Sequence, residues 1–355
     1  MIKNSIFLLA FFYSLESSQA QNIISKNQNM TTMNTVEILS TASHIQGLEI
    51  RLLHKSSEKF DADPILILHG SSFPSALASD FKMGNISWMD QLAAHRHDVY
   101  ALDFLGYGHS DRYPEMLNGS HKVVGRAASA VEDVDMAVEF ILKKTGRGRV
   151  VLIAHSWGGT VAALYAGKFK DKISKLILFS AITNRNENSE RDLVEGPYDE
   201  MTPTERISGM NSLAPANSER LLAADVFNKW GSEWLISDAA YNADSRKTVR
   251  FPSGPSQDID DLLHNLPYYD PSQIIAPTLL VRGEWDKYPS NDDFKQLLNA
   301  LKNASYKKYV VIENGTHVMH LEKARFALYE AVLSFIDSDN TGGAQQTEAT
   351  TIPLM

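Results

Sequence analysis

The chain has 355 residues, 43% of them hydrophobic and 22% charged, which excludes a disordered or fibrous protein and suits one large core with an inserted subdomain. Its formal net charge of -9 is spread without long runs of one sign, so no basic face for nucleic acid or anionic lipid stands out. A neutral or modestly polar small-molecule substrate is the expected partner, and with no cysteine in the chain stability has to come from the core.

Residues 1–20 follow a secretory pattern: Lys3 near the start, an apolar run from Ser5 to Tyr13, then Ser18-Gln19-Ala20 as a small-x-small cleavage site. The run is broken by Ser14, Glu16, Ser17 and Ser18, well short of the ~20 apolar residues a membrane span needs. Cleavage, a secreted or periplasmic mature chain and no stable membrane span are therefore expected. Residues 21–34 are polar and read as a flexible lead-in. Asn-x-Ser/Thr triplets at Asn29, Asn85, Asn118, Asn303 and Asn314 would matter in a host that glycosylates.

The runs Val36 to Leu39 and Leu48 to Leu53, separated by Gln46-Gly47, predict an antiparallel hairpin. Ile65-Leu66-Ile67-Leu68 is a continuous apolar run, the pattern of a strand buried on both faces, and it ends in His69-Gly70-Ser71-Ser72. Ile86 to His97 has helical spacing and Val99 to Leu102 is another short buried strand. The loop that follows, Asp103 to Asp111, carries two glycines; Asp103, His109 and Asp111 are read as structural hydrogen-bonding residues.

Ala127 to Lys144 predicts an amphipathic helix stopped by Gly146-Arg147-Gly148. Val150 to Ile153 is a strand, followed by Ala154-His155-Ser156-Trp157-Gly158 and a helix to Phe169, then a strand at Leu176 to Phe179. From 182 to 271 the alternation breaks into a stretch with seven prolines and interspersed aromatics, with short helices predicted over Leu221 to Phe227 and Lys229 to Ile236. Trp230, Trp234, Phe227 and Tyr241 suit either subdomain core or the underside of a lid. Alternation resumes with a strand at Ala276 to Val281, a helix over Asn291 to Leu301, a strand at Tyr309 to Ile312 and a helix to Ile336; residues 338–355 read as a disordered tail.

A serine on a sharp strand-to-helix turn, flanked two residues away by Ala154 and Gly158, resembles the nucleophile elbow of the α/β-hydrolase superfamily, with alanine where glycine is usual at the first position. The fold implied is a doubly wound, mostly parallel eight-stranded sheet: core at 35–181 and 272–337, with 182–271 as an inserted helical cap. A serine nucleophile needs a base, and the base an acid. Ser156, Asp286 and His317 follow successive strands in the order the resemblance implies, and in a parallel sheet such positions converge on one edge. Asp286 is preferred to Glu284 and His317 to His320. By position, the backbone N–H groups of Ser71 and Trp157 would form the oxyanion hole, with Ser72 in reserve and His69 holding the loop.

The resemblance implies a carboxylic ester hydrolase; the leader pattern makes it an exported one, and with no His-Glu-x-x-His motif or Asp-rich loop neither metal nor cofactor is expected. The alternatives are an aminopeptidase of the prolyl-iminopeptidase type, for which Glu195, Asp199 or Glu200 could hold a substrate amine, and a binding protein without turnover on the same scaffold. The oligomeric state is not legible.

Overall fold

The computed structural model describes residues 35–56, 62–238, 246–339 and 349–353. The predicted leader, the lead-in at 21–34 and Tyr241 lie outside the described residues. Eleven strands are present among them: β1 Glu37–Ala42, β2 Glu49–Lys55, β3 Ile65–Leu68, β4 Val99–Asp103, β5 Val150–His155, β6 Ile173–Phe179, β7 Tyr198–Met201, β8 Val249–Pro252, β9 Thr278–Gly283, β10 Lys307–Ile312 and β11 Ala349–Ile352. The helices are α1 Ser75–Ala78, α2 Trp88–Ala94, α3 Ala127–Thr145, α4 Trp157–Lys168, α5 Pro203–Ser212, α6 Gly231–Ser237, α7 Gly254–Leu263, α8 Asn291–Ala300 and α9 Arg325–Asp337, with a π-helical stretch at Val226–Trp230 leading into α6.

Nine strands form one sheet in the order β1-β2-β4-β3-β5-β6-β9-β10-β11. The β1-β2 and β2-β4 pairs are antiparallel and all the others are parallel. Every residue of β5 is buried, because helices cover both faces. Val150, Leu152 and Ala154 face one core with α3, α4 and α8, while Val151 and Ile153 face the other with α2 and α9. That two-residue period on a strand with no polar face is the mark of a parallel sheet clad on both sides, and each buried Val, Leu or Ile there contributes roughly 1.5–3 kcal/mol.

Three expectations need correction. The sheet has nine strands rather than eight, because residues 349–352 are not a disordered tail: they pair in parallel with Tyr309–Ile312, and Glu313 N donates to the Ile352 carbonyl at 2.9 Å. Thr350, Thr351 and Ile352 are β-branched, and the outer edge of β10 offers them an open ladder. The inserted segment is not purely helical, since β7 and β8 form an antiparallel ribbon. The helix expected from Leu221 begins only at Ala224: Leu222 bridges Glu322 in antiparallel fashion and Ala223 N donates to the Leu321 carbonyl, so the backbone before it is committed to the core.

The insertion is docked by aromatic and polar contacts. Trp230 packs edge-on against Phe73 at 5.1 Å and its indole N–H donates to the Leu77 carbonyl, while Trp234 lies against Trp230 and Phe251. Both tryptophans are fully buried, so they are subdomain core. Helix α7 sits against α3 and α4, and Asp258 on it accepts from the Trp157 indole at 2.9 Å, from Ala127 N at 2.6 Å and from Arg126.

Candidate active site

At the carboxyl edge of the sheet, β5 runs straight into α4 through Ser156, whose backbone takes φ 55° and ψ -125°. A positive φ on a residue with a Cβ is strained, and neighbours on both sides over-determine it. Ser156 N donates to the Phe179 carbonyl at 3.0 Å and Gly159 N donates to the Ser156 carbonyl at 2.9 Å. A methyl on Gly158 would lie 2.2 Å from the His69 carbonyl oxygen, and one on Gly159 2.4 Å from Ala181 Cβ. Glycine is thus required where α4 starts. Ala154 lies in β5 between β3 and β6, where its methyl joins the core, which explains why alanine serves at the first elbow position.

The structure brings Ser156, Asp286 and His317 together. His317 Nε2 is 2.8 Å from Ser156 Oγ, and its Nδ1 is 3.2 and 3.1 Å from the two oxygens of Asp286. Asp286 also accepts from Tyr288 N at 2.9 Å. The loop after β9 is wrapped around the buried Arg282, whose guanidinium donates to the carbonyls of Pro289, Glu284 and Asp286. Glu284 instead accepts from Asn314 N at 3.0 Å, away from the imidazole.

The histidine loop is held from two sides. Thr316 donates its hydroxyl and its N–H to the carboxylate of Glu322, which burial pushes up to about 7 against the pull of those hydrogen bonds. From below, His155 Nε2 donates to the His317 carbonyl at 2.8 Å. Burial keeps His155 neutral, with its pKa driven well below the usual imidazole range, and His320 beside it is pushed down to about 3 for the same reason. Their rings are 4.6 Å apart.

The loop after β3 passes beside the serine, since a methyl on Gly70 would lie 3.2 Å from Ser156 Cβ. His69 holds this loop: Nδ1 donates to the Gly70 carbonyl at 2.7 Å and Nε2 accepts from Phe104 N at 3.3 Å, which fixes its neutral tautomer. The Tyr107 hydroxyl donates to the Ser71 carbonyl at 2.6 Å. The N–H of Trp157 opens α4 and has no preceding helical turn to accept it. Neither that N–H nor the N–H of Ser71 meets an acceptor among the described residues.

The other expectations fall as follows. Asp103 accepts from Ser75 N and His109 N, and Asp111 from Glu49 N, so both carboxylates are structural. Glu200 pairs with Arg250, and Asp199 accepts from the Ser256 hydroxyl. Arg282, Glu322 and Tyr107 escaped sequence reasoning. A signal existed for the first of them, a charged residue ending an otherwise apolar strand.

A family model described as alpha/beta hydrolase fold matches residues 63–324. Among curated proteins, 1-acylglycerol-3-phosphate O-acyltransferase ABHD5 of Sus scrofa is 31% identical over 129 residues, 36% of this chain and 32% of that protein. Proline iminopeptidase of Saccharolobus solfataricus is 25% identical over 209 residues, 54% of this chain and 63% of that protein. The chain thus spans about a third of the first of these relatives. Among solved structures, a thioesterase domain from the curacin biosynthetic pathway superposes with a TM-score of 0.58 at 19% identity, over 84% of this chain and all of that one. An esterase from Exiguobacterium antarcticum gives 0.56 at 17%, over 83% of this chain and 97% of that one. At these identities the likeness is one of fold.

Proposed function

The chain belongs to the alpha/beta hydrolase family, and we propose that within it the protein is an exported serine hydrolase acting on a carboxylic ester of a small, partly apolar substrate. The observation that carries this reading is the relay of hydrogen bonds from Ser156 Oγ through His317 to Asp286. A serine hydroxyl is a weak nucleophile at neutral pH, and here the base lies within proton-transfer reach and is itself oriented by a carboxylate.

In this mechanism Ser156 Oγ attacks the substrate carbonyl as its proton passes to His317 Nε2. Asp286 keeps the Nδ1 proton of His317 in place and stabilises the imidazolium. The tetrahedral oxyanion is held by the N–H groups of Ser71 and Trp157. His317 then returns its proton to the departing alcohol, leaving Ser156 acylated. Water, deprotonated by His317, releases the carboxylic acid. With serine rather than aspartate at the elbow, the intermediate is an acyl-enzyme.

A panel of p-nitrophenyl esters of increasing acyl length, run beside proline p-nitroanilide, tests the reaction class. The proposal expects ester turnover to exceed anilide turnover. Faster cleavage of the anilide would favour the iminopeptidase reading, which the half-buried Asp199, with no cation offsetting it among the described residues, keeps in view. Export belongs to the same proposal: a mature chain starting at Gln21 is its expected amino-terminal sequence.

A further inference from the structure

Among the described residues, Arg206, on α5 of the inserted segment, is a cation without a counterion. Its guanidinium lies 5.5 Å from the ring of Phe73, which directly follows the Ser71-Ser72 loop. The residue is partly exposed, but its Nε is shielded from solvent without a hydrogen-bond partner, and among the described residues no carboxylate offsets its charge: desolvation lowers its pKa, to about 10. An arginine in such surroundings is costly unless something completes it.

Arg206 is not alone in this. Phe73 stacks on His320, His320 lies against His155, and His155 holds the carbonyl of His317. Along that path both ring nitrogens of His320, Nδ1 of His155 and the hydroxyl of Ser72 are buried without partners. The positive charge of Arg206 reaches both His155 and His320. Buried polar atoms in native proteins are almost always satisfied, by protein, water or ligand. Here a row of unsatisfied ones leads from the nucleophile's own neighbour to Nε of Arg206.

We propose that Arg206 and His320 form an anion subsite beside the triad, and that the substrate carries a free carboxylate in addition to the ester that Ser156 attacks. This rests on the serine hydrolase reading above and narrows its substrate class to half-esters and related acyl groups with one remote negative charge. One guanidinium next to neutral imidazoles matches a single charge better than a dianionic phosphate. A fork of guanidinium N–H groups meets a carboxylate in two parallel hydrogen bonds, and a neutral imidazole N–H of His320 adds a third donor.

The test compares mono-p-nitrophenyl glutarate with its methyl ester at pH 7.5, two substrates that differ by one negative charge. The ratio of kcat/KM for acid over methyl ester is expected to exceed one in the wild type and to fall roughly 10- to 100-fold in Arg206→Gln, with part of it kept in Arg206→Lys. Melting curves of both variants show that they are folded. In parallel, monomethyl glutarate is expected to slow fluorophosphonate labelling of the wild type more than dimethyl glutarate does, and Arg206→Gln to erase that difference. This second readout needs no turnover. A ratio unchanged by Arg206→Gln, or equal protection by the two glutarates, would overturn the subsite while labelling of Ser156 left the hydrolase reading standing. A folded wild type that takes no label would overturn both.

Discussion

Gly283 and Gly315 cross so closely that a methyl on Gly283 would lie 2.1 Å from the Gly315 carbonyl oxygen. These two glycines end the strand before Asp286 and begin the turn before His317, so their contact sets how near the acid and the base can come. Trp285 N donates to that same carbonyl at 2.9 Å, tying the two loops together. Gly283→Ala should force the loops apart, costing about 1–3 kcal/mol of stability and most of the esterase activity. Thermal melts and ester kinetics check this; a variant with unaltered kcat would show that the crossing does not set the triad.

Asp286 and Glu284 lie on one loop but do different things. Asp286→Asn leaves His317 without the carboxylate that orients it and supports its cation, and kcat is expected to fall roughly 10³- to 10⁴-fold. Glu284→Gln removes only a charge at an exposed position, its amide oxygen still able to accept from Asn314 N, and should change kcat less than about threefold. Steady-state kinetics of the pair decide the assignment, and the reverse order of effects would transfer the role to Glu284.

Glu322 links stability to pH. Its carboxyl is raised from 4.5 to about 7, so the folded state binds the proton more tightly than the unfolded chain does. Its contribution is therefore full below pH 4.5 and is lost as pH rises through 7. Relative to Glu322→Gln, the wild type should lose roughly 2–3 kcal/mol of unfolding free energy between pH 5 and pH 8. Urea melts at both pH values measure this difference, and a constant gap between the two proteins would contradict it.

Most of the sheet was legible from short apolar runs, because a strand clad on both faces, such as Val150 to Ile153, has no polar period to confuse it. The order Ser156, Asp286, His317 was equally legible, since the carboxyl ends of parallel strands meet by topology alone. Helix α5 was missed although Thr202-Pro203-Thr204-Glu205 spells a capping box, with the Thr202 hydroxyl accepting from Glu205 N and Glu205 accepting from Thr202 N. The ribbon of β7 and β8 was not legible, because its half-exposed residues Tyr198 to Met201 show no apolar run. Arg206 gave no signal either; a cation that meets no counterion among the described residues is a fact of three dimensions.

Asp258 joins the inserted segment to the site. Asp258→Ala would strand the Trp157 indole N–H and Ala127 N at buried positions and leave Arg126 held by Asp261 alone, for a loss of roughly 3 kcal/mol. Arg191→Ala, which removes a half-exposed guanidinium from the buried Asp260 and from Asp261 while Asp260 keeps the N–H of Asp192, should cost about 1 kcal/mol. Chemical denaturation of the two variants gives the comparison, and similar losses would mean that α7 is not anchored through Asp258.

Reaction of the purified protein with a fluorophosphonate, followed by peptide mass analysis, bears most directly on whether Ser156 is a nucleophile. One adduct is predicted on the peptide that carries Ser156, absent from Ser156→Ala, with melting temperatures of the two proteins within a few degrees. A well-folded wild type that remains unlabelled, or a Ser156→Ala protein labelled as fully as the wild type, would contradict it.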